Sequence, residues 1–159
     1  IPLFDRAGVS VEDQARAVLL LDPSLTGLTL TELLWHVHHS IASALTGAVA
    51  AFRADGIEAA DWVRKAVIVH GDSDPTTVSP SDQAAALRQA LSASGGDVVS
   101  WMKQTRTPLP EVVAAVRYAF DAEPGELAGF LRHARQRAGT TAPLLAAEFV
   151  PALDGFGMA

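Results

Sequence analysis

At 159 residues, with roughly half of them apolar and 19% charged, the chain is long enough to bury a substantial core and far from the composition of a disordered segment. It has no cysteine, which excludes disulfides, thiolate nucleophiles, zinc-cysteine centres and iron-sulfur clusters. The net charge of −6 and the scattering of its basic residues, with Arg132, Arg135 and Arg137 the one local cluster, argue against a nucleic-acid partner; no apolar run approaches a membrane span, and cytoplasmic location is the expectation.

The first predicted element is a short helix, with Ser10 as N-cap, Glu12 and Asp13 in the first turn and Asp22-Pro23 as the stop. Thr29 and Glu32 have the spacing of a capping box, and Leu30, Leu33, Leu34, Val37, Ile41, Ala44, Leu45, Ala48 and Phe52 recur at three- and four-residue intervals. They predict one helix of about 25 residues, from about Leu30 to Ala54, closed by Asp55-Gly56. A third helix is expected from Ile57 or Glu58 to about Val69, its Val67-Ile68-Val69 end also compatible with a short strand. His70 to Pro75 reads as a loop. Ser79, Pro80 and Asp82 restart a helix that is expected to continue through Ser92 to Gly96, bent by the paired glycines, as far as Met102. Further helices are predicted from Leu109 to Phe120, from Pro124 to Ala138 and from Pro143 to about Val150. No strand alternation and no internal repeat is apparent. The expected fold is therefore a single all-α domain, an antiparallel bundle of six to seven helices with a four-helix core.

Chemistry concentrates on the predicted second helix. Around its axis Glu32, His36, His39 and Ser43 fall on one polar sector, beside the apolar stripe, with His38 at the stripe's edge. Glu32 and His36 are an i, i+4 pair and His36 and His39 an i, i+3 pair, so they can share one hydrogen-bond network or one cation. His70 precedes Asp72 and Asp74 in the loop, and His133 lies on the sixth predicted helix. One aromatic per helix, Trp35, Trp62, Trp101 and Tyr118, together with His38, forms the candidate lining of a ligand pocket, although a core would use such residues equally well. The sequence contains no nucleophile elbow, phosphate-binding glycine loop or His-Glu-x-x-His motif.

The stretch Thr29-Leu30-Thr31-Glu32-Leu33-Leu34-Trp35-His36 resembles the second helix of DinB-like proteins, and His133-Ala134-Arg135-Gln136-Arg137 is placed like their later His-x-x-x-His segment. The resemblance covers these two stretches. It implies a four-helix bundle that holds a divalent metal through three histidines, with thiol-transferase or isomerase chemistry, and makes His36 and His133 two of the ligands. The third ligand position holds Arg137, which stays protonated and cannot bind a metal. Either His70, His38 or His39 replaces it, or the site is lost.

The absence of a catalytic constellation beside abundant apolar helix faces favours a non-catalytic binding domain, holding a small apolar ligand between helices or self-associating as a homodimer. No cofactor is expected on that reading. The alternatives are a DinB-like metal-dependent enzyme using His36 and His133 with a divalent metal, and an accessory protein that docks on a larger enzyme. The abundance of Ala, Val, Leu, Arg and Gly resembles that of high-GC bacteria.

Overall fold

The computed structural model describes residues 8–137, and they are all-α apart from one small hairpin. Eight helices follow in order: α1 (Val11–Leu21), α2 (Gly27–His38), α3 (Ile41–Phe52), α4 (Gly56–Lys65), α5 (Pro80–Leu91), α6 (Gly95–Gln104), α7 (Leu109–Phe120) and α8 (Pro124–Arg137). Between α4 and α5, β1 (Val67–Ile68) pairs antiparallel with β2 (Thr76–Thr77) in the register Val67 to Thr77 and Ile68 to Thr76. The helix expected at Pro143 to Val150 lies outside the described residues.

Two predicted long helices are each two helices, and the reason is local. His39 adopts a left-handed φ of 54°, and the Ser40 hydroxyl accepts from the Ser43 N–H, so a capped start interrupts the apolar periodicity. Likewise Ser92 sits at φ 49° and Ser94 caps α6 through the Asp97 N–H, ending α5 where a bend was expected. Thr29 is not the cap of α2: Thr26 is, accepting from the Thr29 N–H, and Glu32 reaches elsewhere. Asp55 opens α4 instead of closing α3. Its carboxylate accepts from the Ile57 and Glu58 N–H groups, while Glu58 accepts from the Asp55 N–H. The left-handed C-cap of α3 is Arg53, at φ 53°.

The helices form two layers. In one, α1 packs on α3, α3 on α5 and α5 on α7; in the other, α2 packs on α4, α4 on α6 and α6 on α8. Helices α2, α4 and α6 of the second layer also lie against the next helix of the first, most extensively α2 on α3. No extensive packing joins α1 to α5 or α3 to α7. This is the arrangement of a helical-repeat array, in which each helix pair touches chiefly its neighbours.

The repeat, which had not been apparent in the sequence, is legible once the pairs are superposed by their caps. First-layer helices follow Ser10, Ser40, Ser79 and Pro108; second-layer helices follow Thr26, Asp55 and Ser94, with Glu123 preceding Pro124. The first and third pairs share Val-Ser-x-x-Asp-Gln-Ala, at residues 9–15 and 78–84. In both, the serine bonds the aspartate, and the buried glutamine donates to the valine carbonyl five residues back, Gln14 to Val9 and Gln83 to Val78, each at 2.9 Å. The turns after α3, α5 and α7 share another device: the N–H groups of Ala54, Ala93 and Ala122 reach back to the carbonyls of Val49, Arg88 and Arg117.

A glycine-aromatic contact locks successive pairs together. Helix α4 begins with Gly56 and α6 with Gly95, and their seventh residues are Trp62 and Trp101; the equivalent residue of α8 is Phe130. Trp62 lies over Gly27, Trp101 over Gly56 and Phe130 over Gly95, so closely that a methyl at any of these glycines would overlap the ring. Two buried clusters result. The larger runs from α3 to α8 and includes Leu87, Val98, Val99, Met102, Val112 and Leu127; the smaller joins Ala15, Leu30, Leu34, Ala44 and Ala48 at the α1 end.

Candidate functional site

The β1–β2 hairpin is an insertion in the array. Intervals between first-layer caps are 30 residues from Ser10 to Ser40 and 29 from Ser79 to Pro108, but 39 from Ser40 to Ser79. About ten extra residues occupy the second junction, and insertions in repeat proteins map to loops on one face, often the binding face. The Val69 to Thr77 stretch is exposed throughout, with Gly71 supplying a left-handed φ of 59° in the turn.

Helix α2 holds this hairpin with its histidine-bearing sector. Glu32 Oε1 accepts from the Val67 N–H at 3.0 Å, fixing the start of β1. One turn along α2, the His36 ring stacks on His70, with centroids 5.5 Å apart and planes 26° from parallel. The Ser73 N–H donates to the His70 carbonyl at 3.1 Å and closes the turn beyond it. Neither imidazole hydrogen-bonds to, or forms an ion pair with, another described residue. The third member of the predicted polar sector, His39, points to no shared centre; its left-handed backbone ends α2.

The other candidate residues are dispersed. His38 Nε2 bonds Gln14 Oε1 at 3.1 Å, tying α2 to α1. Since Gln14 donates its amide N–H to Val9, its oxygen is the acceptor and His38 the donor. His133 lies against Gly96 and 3.5 Å from the Asp97 carboxylate on α6. Counted from the caps Thr26 and Glu123, His36 and His133 occupy the same repeat position in the first and fourth pairs. Neighbouring helices pack at 8–10 Å, so three repeats separate them by roughly 25–30 Å. The structure thus brings His36 to His70 and not to His133, and among the described residues no three His, Asp or Glu side chains form a group suited to a metal ion.

Of the predicted pocket residues, Trp62 and Trp101 fill the glycine notches, with Phe52 edge-on to Trp62 at 5.7 Å, and Trp35 is half-buried between the two clusters. Tyr118 is 73% exposed. It forms one wall of an open groove of about 700 Å³ between α5 and α7, lined also by Ala85, Ala114, Arg117, Ala119 and Asp121. Ala114, Arg117, Tyr118 and Asp121 are spaced i, i+3, i+4, i+7, a helix-face signal that sequence reading passed over because the apolar stripe of α7 lies on its other side. Ala85 and Ala114 are the same repeat position on adjacent helices, and their small side chains leave the floor low. At the groove's edge Arg88 donates to the Ala119 carbonyl and lies over the Phe120 ring, which packs on Phe130.

Asp22, in the turn between α1 and α2, is held below the usual carboxylate range by the Ser24 hydroxyl at 2.6 Å and the Ser24 N–H at 3.1 Å. It belongs to that turn and to neither site. Among the described residues no helix is long and apolar enough to cross a membrane. No protein-family model, curated protein or solved structure matches the chain.

Proposed function

We propose that the chain is a non-catalytic binding module of helical-repeat build, which takes a small apolar ligand on the α5–α7 face. The observation that carries this reading is Tyr118, a large aromatic side chain left 73% exposed at the rim of a groove floored by alanine. Apolar floors with a few polar groups at the edge, in clefts of about 300–1,000 Å³, are the common form of ligand sites. Arg117 and Asp121 supply such an edge, and Tyr118 offers an apolar body with a hydroxyl tip. Among the described residues, nearest-neighbour helix packing leaves one face of every first-layer helix without another helix against it, the kind of surface on which repeat proteins bind.

Thermal denaturation against a library of lipophilic small molecules, run beside light scattering, tests the reading. A stabilising ligand should lose its effect in Tyr118→Ala, while Tyr118→Phe keeps most of it. Concentration-dependent dimerisation abolished by Tyr118→Ala would assign the groove to a second copy of the chain. A monomer whose melting is unmoved by the whole library sinks both assignments.

A further inference from the structure

We infer that His36 and His70 form a two-imidazole site for a borderline transition-metal ion of the zinc, nickel or copper class, and that the ion clips the inserted hairpin onto α2. Two histidines 34 residues apart in sequence have their rings within 5.5 Å, one on a helix and one on an inserted loop. The Glu32 bond to the Val67 N–H holds the start of β1 on α2 independently of the rings, and the Ser73 N–H bond to the His70 carbonyl closes the turn just beyond His70.

The separation suits coordination. An ion about 2.0–2.1 Å from an imidazole nitrogen lies about 3.2 Å from that ring's centroid, so two rings at a tetrahedral angle stand roughly 5–5.5 Å apart. As they stand the rings are nearly parallel, so coordination requires each to turn about its side-chain torsions until a nitrogen of each faces a common point. Both side chains are exposed, and neither ring spends a nitrogen on a hydrogen bond with a described residue. Neutral imidazole is the preferred nitrogen ligand for these ions, whereas magnesium and calcium favour oxygen. With two protein ligands the remaining positions fall to water. The exposed Asp72 and Asp74, two and four residues beyond His70, add negative charge near the ion.

The site differs from a set that includes His133, which lies against α6 three repeats away.

The test uses the full chain without a histidine tag, stripped with chelator and titrated with zinc chloride by calorimetry and by imidazole ¹H–¹⁵N NMR. About one equivalent should bind, shifting the His36 and His70 ring resonances and leaving His133 in place. His36→Ala and His70→Ala should each weaken binding at least about tenfold, and His133→Ala should not. Circular dichroism confirms that each variant is folded. Unmoved His36 and His70 resonances at millimolar zinc overturn the inference, as does binding that survives the His36→Ala, His70→Ala double variant.

Discussion

At the residue scale, the array depends on glycines chosen for what they lack. Gly56 begins α4 and lies under the Trp101 ring, so an added methyl must displace an indole that is wedged between neighbours. Overpacking of this kind costs about 1–3 kcal/mol, against a helix-propensity gain of at most about 1 kcal/mol for alanine. Gly56→Ala should therefore lower the unfolding free energy by about 1–2 kcal/mol in urea. Gly125, near the start of α8, has no described atom within 4 Å of the position a methyl would take, so Gly125→Ala should be neutral or stabilising by up to about 1 kcal/mol. Equal destabilisation by the two substitutions would mean that the rings do not seat on the glycines. The sequence displays the partners openly, in Gly56 with Trp62 and Gly95 with Trp101, but not the pairing, because each ring answers to the glycine one repeat earlier.

At the scale of elements, apolar spacing and capping residues located α1, α7 and the start of α5, where Ser79, Pro80 and Asp82 act as expected. They did not reveal the breaks at His39-Ser40 and Ser92-Ser94. There the apolar periodicity runs on while the backbone turns, and only the left-handed residue and the serine cap mark the turn. The polar sector of Glu32 and His36 was legible as a face, but what covers it was not, since β1 reaches it from 35 residues away. The repeat was obscured for a related reason: the inserted hairpin stretches one interval to 39 residues, and likeness between pairs resides in caps and side-chain size more than in identity. The hairpin tip itself contributes nothing to the core. Replacing Val69 to Pro75 by Asn-Gly would join Ile68 to Thr76 through a two-residue turn that suits antiparallel strands. The shorter loop saves about 1 kcal/mol of closure entropy, which offsets the lost ring stacking. Far-UV dichroism and melting should be nearly unchanged, within about 1 kcal/mol, with zinc binding gone. Collapse of the fold would show that the tip is structural and not an appended site.

At the scale of the whole molecule, layered nearest-neighbour packing makes stability a sum over interfaces, so protection should vary along the chain. The first pair has the smaller share. Helix α1 rests chiefly on α3, its fully buried side chains are Gln14 and Ala15, and Leu20 and Leu21 at its end are 83% and 84% exposed. Helices α3 and α5 each pack between first-layer neighbours, and with α7 they place Leu45, Leu87, Val112 and Val116 in the larger cluster. In native-state hydrogen exchange followed by mass spectrometry, amides of α1 should open first, with an opening free energy several kcal/mol below that of α5. Cutting the Gln14 link to His38 by Gln14→Ala should lower protection of α1 and α2 while leaving α5 to α7 unchanged, because neither α1 nor α2 packs extensively on α5, α6 or α7. Uniform protection from α1 to α8, falling together in that variant, would mean one indivisible cooperative unit and would remove the basis for treating the four helix pairs as an array.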